Sequence, residues 1–336
     1  MIVMEDKFLD TINRYMLPID ALERVIDSTY FLCKNLGFAF AQGYCHPAGG
    51  FYGKLINYPD PRGALDIFGR RYSNTNKRVV DGRLELIPID EQLKLNHLAD
   101  PALAKAKDLP LFADHHARFD LSDCIGFFEH RHSLRVAMEM YSWLHSTIQK
   151  IGDFIEMGQD SLGVTGSLAY GRMDEGEEDV DLTIHGSVEE HWRLIRKITE
   201  LVKKPEHRVV EFGKFWPMRF YYEGTLVCPF FIYGRADEIP LADFTMDLVR
   251  PDVDFRGRVC DDRHSIYLPM VLGLEGVNLD GLKEEKIPLI VYDSAVRGEY
   301  RSGNRLEGRG RLVNVRKPNE EFRALLVTNS TAITKS

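Results

Sequence analysis

The sequence of 336 residues predicts an α+β fold: a central mixed sheet over residues 116–250, flanked by an N-terminal α+β region over 1–115 and a small C-terminal β-barrel over 251–336. Three observations carry this expectation. Apolar residues recur at helical steps from Ser133 to Ile151, and short runs of β-forming residues with turn signals fill both ends of the chain. In the middle, a Gly-Ser pair precedes a strand-like run with two alternating aspartates.

Taken in order, Leu22, Val25, Ile26, Tyr30 and Leu32 predict a helix over residues 19–36. Strands are expected at 37–41, 51–58 and 64–72. Asp81-Gly82 joins the runs 77–80 and 83–87 as a hairpin, because that dipeptide accepts the positive φ angles of a two-residue turn. Residues 89–107 return to a helical pattern. Between 133 and 151, Leu134, Met138, Tyr141, Leu144, Ile148 and Ile151 form one apolar face, as in a helix that backs a sheet. The central part continues with a strand at 162–165, a turn or short helix at 168–171, a strand at 179–184, a helix at 188–202 and strands within 208–233. Beyond Pro251, runs at 255–259, 266–274, 287–292, 305–315 and 322–327, separated by glycine turns, predict the barrel.

Composition narrows the function classes. With 44% hydrophobic and 28% charged residues, the chain reads as a soluble globular protein. Its first residues lack a signal-peptide pattern and its apolar runs are too short to span a bilayer, so a cytoplasmic location without a membrane partner is expected. Cys33, Cys45, Cys124, Cys228 and Cys260 are widely spaced and form no Cys-x-x-Cys pair, against a disulfide framework or zinc knuckle. His115-His116 and His130-x-His132 read as exposed or capping residues before metal ligands.

The net charge of −8 argues against indiscriminate nucleic-acid binding, but its distribution is uneven. Six of the eight residues from Asp174 to Asp181 are acidic. Arg297, Arg301, Arg305, Arg309, Arg311, Arg316 and Lys317 face only Glu299 and Glu307 in their stretch, which suits it to meet phosphates. Phe51, Tyr52, Lys54, Tyr58, Arg70, Arg71, Tyr72, Lys77 and Arg78 mingle cations with rings. They read first as half-buried sheet residues and second as a surface on which RNA bases stack.

The chemistry concentrates in the centre. Asp179 and Asp181 alternate with Val180, so both carboxylates lie on one face of their strand. Hard divalent cations take carboxylates together with substrate phosphates, and the acidic run would repel a nucleotide unless such cations intervened. Ahead of the aspartates, Leu162-Gly163-Val164-Thr165 delivers Gly166-Ser167 to a helix start, where free backbone N–H groups bind phosphate. Gly166 permits close backbone approach and Ser167 adds a hydroxyl donor. Separately, these features describe an ordinary turn and a solvated strand face. Their order and spacing favour a site.

The stretch from Gly166-Ser167 through Gly171 to Asp179-Val180-Asp181 resembles the signature of the DNA polymerase beta-type nucleotidyltransferase superfamily, in which a Gly-Ser motif precedes a strand carrying Asp-x-Asp. The looser likeness extends over residues 133–234. It departs in a loop, 172–178, about one residue longer than in small bacterial members, and in Glu178 where a serine is common. The resemblance implies that Gly166, Ser167, Gly171 and Arg172 hold a nucleoside triphosphate and that Asp179 and Asp181 hold Mg2+ or Mn2+. A nucleoside monophosphate then passes to an acceptor hydroxyl and pyrophosphate leaves. Many members carry a third carboxylate on a later strand. The corresponding run here, Thr225–Tyr233, has none; Cys228 falls in that place, and Glu211 is the other candidate. The phrase from Arg301 to Leu312 resembles, more faintly, the middle of an OB-fold, which extends the expected partners to RNA or single-stranded nucleic acid. The competing expectation is a nucleotide- or RNA-binding protein that keeps the fold with weak or no transferase activity.

Overall fold

The computed structural model describes residues 7–80, 83–105, 109–173 and 179–336. It is a mixed α+β structure with several sheets. Helix α1 (Lys7–Tyr15) buries Phe8, Ile12 and Tyr15. The N-terminal sheet is built from β1 (Leu17–Pro18), β2 (Tyr30–Cys33), β3 (Phe38–Ala41), β4 (Gly50–Pro59), β5 (Leu65–Ile67) and β6 (Arg70–Asn74). The hairpin β7 (Lys77–Val80) and β8 (Arg83–Leu86) and helix α2 (Ile89–Ala99) follow, and β9 (Ala117–Asp120) and β10 (Cys124–Phe128) return to the sheet. Its order is β1-β10-β2-β3-β4-β6-β5, with β9 also on β4. Val80 pairs with Arg83 as the expected hairpin requires; the Asp81-Gly82 turn lies outside the described residues.

The helix expected over 19–36 is not formed. The segment holds one 3-10 turn (Ile19–Ala21) and strand β2. Tyr30, Phe31, Leu32 and Cys33 are all buried, and a strand buried on both faces gives a continuous apolar run that a short window cannot tell from a helix. Ser28 and Leu36, at φ 68° and 64°, interrupt any helix on either side of β2. The run 64–72 is likewise two strands, turned at Phe68-Gly69, both with positive φ. The rings of this region follow the first reading, half-buried sheet residues: Phe51 and Tyr72 are wholly buried, Tyr52 and Tyr58 partly so, and Lys54 is buried with its amine on Gln92 Oε1 at 2.8 Å.

The single helix expected over 133–151 is two, α3 (His130–Met140) and α4 (Ser142–Ile155), broken at Tyr141, where the backbone is extended at φ −121° and ψ 98°. The apolar spacing continues across the break, which hides it from the sequence. The central sheet comprises β11 (Leu162–Val164), β12 (Asp179–Gly186), β13 (Arg208–Glu211), β14 (Lys214–Tyr222) and β15 (Thr225–Tyr233), in the order β11-β12-β15-β14-β13. It is mixed: β12 and β15 run parallel, and the other neighbours are antiparallel. Helix α5 (Val188–Leu201), started by a capping box between Ser187 and Glu190, follows the aspartate strand.

The C-terminal part holds β16 (Thr245–His264), β17 (Met270–Leu279), β18 (Leu282–Val291), β19 (Arg305–Lys317), β20 (Glu320–Val327) and β21 (Ile333–Lys335). Pairing runs β16-β17-β18-β20-β19, and β19 returns to β16, which closes the sheet on itself around Phe255, Leu272, Leu289 and Leu325. Strand β16 is far longer than 255–259, because its first half pairs with β19 through backbone bonds while its side chains stay mostly exposed and show no apolar alternation. Among the described residues, no helix is long and apolar enough to cross a membrane.

A buried ion pair ties the first and last parts together. Asp27, wholly buried, meets Arg297 at 2.8 Å and also accepts from the backbone N–H of Gly43 at 2.8 Å.

Candidate functional site

Strand β12 carries the site because its two faces differ. Val180, Leu182 and Ile184 are buried in the core, so Asp179 and Asp181 occupy the opposite face. In the parallel register Asp181 lies beside Cys228 of β15, and paired residues on neighbouring strands project to the same side. One donor atom from each of Asp179, Asp181 and Cys228 lies within 4.8 Å of the others. This is the one group of three such side chains among the described residues that is spaced to hold a cation.

The Gly-Ser loop sits against this group. Thr165 donates its backbone N–H to the Asp181 carbonyl at 2.9 Å, and its hydroxyl donates to the Ser28 carbonyl at 2.7 Å, so the loop is held from both sides. Gly166 has φ 65°, and a Cβ there would lie 1.9 Å from Asp181 Oδ2. Only glycine fits this close approach. Gly166–Tyr170 is a single 3-10 turn rather than the start of a longer helix. Ser167 is half-buried, and its hydroxyl makes no hydrogen bond among the described residues. Gly171, at φ 81°, ends the turn; a Cβ there would meet the Tyr15 ring at 2.3 Å, and Tyr141 Oη donates to its carbonyl at 2.8 Å. Packing against α1 thus accounts for Gly171. Arg172 donates Nε–H to the Asp66 carbonyl at 3.2 Å, which ties it to the N-terminal sheet. The acidic residues 174–178 lie outside the described residues.

Charge at the site is unevenly relieved. Burial first, and then the neighbouring Asp179, push the Asp181 carboxyl up to about 7. Asp179 is raised too, by burial, against the opposing hydrogen bond that Cys228 Sγ donates to its Oδ1 at 3.2 Å. Asp179 is more open to solvent than Asp181, in keeping with the larger shift at Asp181. Burial and the two carboxylates hold the Cys228 thiol well above its ordinary range. The cations acting on both carboxylates are Arg219 and Lys77.

Arg219 was not legible as a site residue. Strand pairing puts Phe220 opposite Val227, so Arg219 follows opposite Cys228, and only that register brings it to the aspartates. Its guanidinium lies 4.2 Å from the Trp216 ring and bonds Glu211 Oε2 at 2.5 Å. Glu211 is therefore committed to Arg219 and stands outside the three-donor group.

Other charged motifs are spent within the fold. Arg297 pairs with Asp27, Arg309 with Asp254, Arg311 with Asp114, Arg316 with Asp247 and Lys317 with Glu320. The basic stretch expected to meet phosphates is thus mostly neutralised by nearby acids. His130 lies 3.3 Å from His185 and 3.0 Å from the Ser28 carbonyl, and His132 bonds the Arg14 carbonyl, so these histidines act in packing and capping. An open groove of about 800 Å³ lined by Cys260, Asp262, Arg263, Leu274, Lys286 and Pro288 lies on the barrel, and neither Asp179 nor Asp181 lines it.

Comparison with protein-family models, with curated proteins and with solved structures finds no match for the chain.

Proposed function

We propose that the chain is a metal-dependent nucleotidyltransferase, moving a nucleoside monophosphate from a nucleoside triphosphate to an acceptor hydroxyl with release of pyrophosphate. One observation carries the reading: Asp179 and Asp181 lie side by side on one strand face, with the Gly166 backbone pressed against Asp181. The likeness to the DNA polymerase beta-type superfamily rests on these same residues. Oxygen donors adjoining a thiol at cation-binding spacing fit a divalent ion. Asp179 and Asp181 would hold Mg2+ or Mn2+, which when bound neutralises the triphosphate and the leaving group. The unpartnered Ser167 hydroxyl and the Gly166 backbone receive phosphate oxygens, and Arg219 adds positive charge from β14. The rate then comes from positioning and charge stabilisation. The closed C-terminal barrel supports an OB-like module and, with it, a nucleic-acid acceptor.

A second reading is favoured by one feature. With Glu211 held by Arg219 and a thiol in the third place, the cluster has no spare carboxylate among the described residues to take the acceptor's proton. A binding protein that keeps the fold would bind nucleotide without releasing pyrophosphate.

The test incubates the purified protein and its Asp181→Ala variant with each nucleoside triphosphate, Mg2+ or Mn2+, and total cellular RNA. Label transfer and pyrophosphate release by the wild type, reduced on the order of 10²–10³-fold or more in the variant, establish the enzyme. Nucleotide binding with no transfer by either protein selects the binding module instead.

A further inference from the structure

We propose that Cys228 is the third ligand of the cation site and sets its preference toward borderline divalent ions, Co2+ and Zn2+, over Mg2+. The proposal shares with the nucleotidyl-transfer reading the premise that Asp179 and Asp181 hold a cation, and it goes beyond that reading in naming the donor and the class of ion.

The geometry puts sulfur where a ligand belongs. The Asp181↔Cys228 register fixes the thiol beside one carboxylate, and its Sγ already donates to the other at 3.2 Å. A buried cysteine commonly serves as a small apolar filler. Cys228 is 2% exposed, but its sulfur is turned to two carboxylates. A second observation comes from the same strand face. The Asp181 carboxylate has no hydrogen-bond or ion-pair partner among the described residues, although Gly166 closes one side of it. Asp181 is only partly buried, so the opening left beside its carboxylate and the thiol is one that a cation can reach. Polar groups taken out of water are normally satisfied, and a half-buried carboxylate without a partner beside a thiol suits a bound cation.

The donor set then selects the ion. Mg2+ takes near-octahedral oxygen coordination and keeps much of its water, whereas thiolate binds softer ions strongly. Two oxygens and one sulfur suit Zn2+ or Co2+ better than the hard ions Mg2+ and Mn2+. On binding, a metal–sulfur bond replaces the S–H bond, and the thiol proton leaves to the buffer.

Cobalt is the probe, because thiolate ligation to Co2+ gives an intense near-ultraviolet charge-transfer band that oxygen ligation does not. The full-length protein, Cys228→Ser and Asp181→Asn are titrated with Co2+ by absorption and calorimetry, then with Zn2+, Mn2+ and Mg2+ by calorimetry. Unfolding curves confirm that each variant is folded. The expected result is a charge-transfer band in the wild type that both substitutions abolish. Cys228→Ser should weaken Co2+ and Zn2+ at least about tenfold and change Mg2+ by less than about threefold. Cys228→Asp, a second variant of similar volume, should move the preference toward Mg2+. Co2+ bound without the band, or with unchanged affinity in Cys228→Ser, overturns the proposal and leaves a carboxylate-only site. A band that survives Cys228→Ser places the ion on another cysteine and overturns it as well. Failure of every cation to bind removes both this proposal and the nucleotidyl-transfer reading.

Discussion

The aspartate end of β12 and the basic strand β19 are both dense in charge, yet the fold treats them oppositely. Along β19 and its flanks, Arg309, Arg311, Arg316 and Lys317 each meet an acid from a neighbouring strand or loop. At β12, two acids adjoin a thiol, and the Asp181 carboxylate has no hydrogen-bond or ion-pair partner among the described residues. Charges that neutralise one another are structural. Like charges left together cost stability and persist where a ligand offsets them. A run of charge in a sequence therefore says little until its cross-strand partners are known.

The comparison is sharpest at the buried pair of Asp27 and Arg297. Arg297→Ala leaves the wholly buried Asp27 carboxylate without its cation and should lower unfolding free energy by about 3–5 kcal/mol, measured by urea denaturation. A loss below about 1 kcal/mol would show that solvent reaches Asp27 and that the pair is not a joint between the two parts.

Next in size is the pH response of the aspartates. Asp181 has a folded-state value raised to about 7, against an unfolded value near the ordinary carboxylate range. Between those values the folded chain retains a proton that the unfolded chain has lost, so stability falls as pH rises from about 4 through 7. Measured against Asp181→Asn, the fall should amount to about 3–4 kcal/mol in metal-free protein. Asp181→Asn should flatten the curve, and saturating Mn2+ should restore stability at pH 8. A difference between wild type and Asp181→Asn that rises over this interval in metal-free protein contradicts the uncompensated site.

Gly166→Ala should cost about 1–3 kcal/mol, since it adds a left-handed strain to a collision with Asp181. In an Asp181→Ala background the collision is gone and part of the cost should disappear; a double-mutant cycle with no coupling would place the strain elsewhere. The smallest effect belongs to the barrel. Arg316→Ala, losing Asp247 at an exposed site, should change stability by less than about 1 kcal/mol, and less still at high salt. A larger change would mean that the barrel pairs are as consequential as the buried one.

Several features are legible in the sequence alone. The alternation Asp179-Val180-Asp181 announces a strand with both carboxylates on one face, and Gly166 announces a close backbone approach; each depends on local geometry, and each is found. The helix over 188–202 and the run 305–315 likewise follow from local periodicity and occur as α5 and within β19. The segment 19–36 misleads for the converse reason. Its apolar density is real, but only burial on both faces separates β2 from a helix, and burial depends on the neighbours.

The sequence by itself determined which groups are available at the centre: two carboxylates in strand alternation, a glycine loop ahead of them, and a cysteine where a third acid was sought. Those follow from bond geometry within a few residues. Tertiary structure decided how they are used. The parallel register of β12 and β15 brought Cys228 to Asp181, and the order of β14 and β13 committed Glu211 to Arg219. Barrel closure set Arg309 and Arg316 against acids of β16, and Arg311 met Asp114 from outside the barrel. Pairing across strands is a long-range contact, chosen by the packing of the whole fold, so no window of sequence contains it.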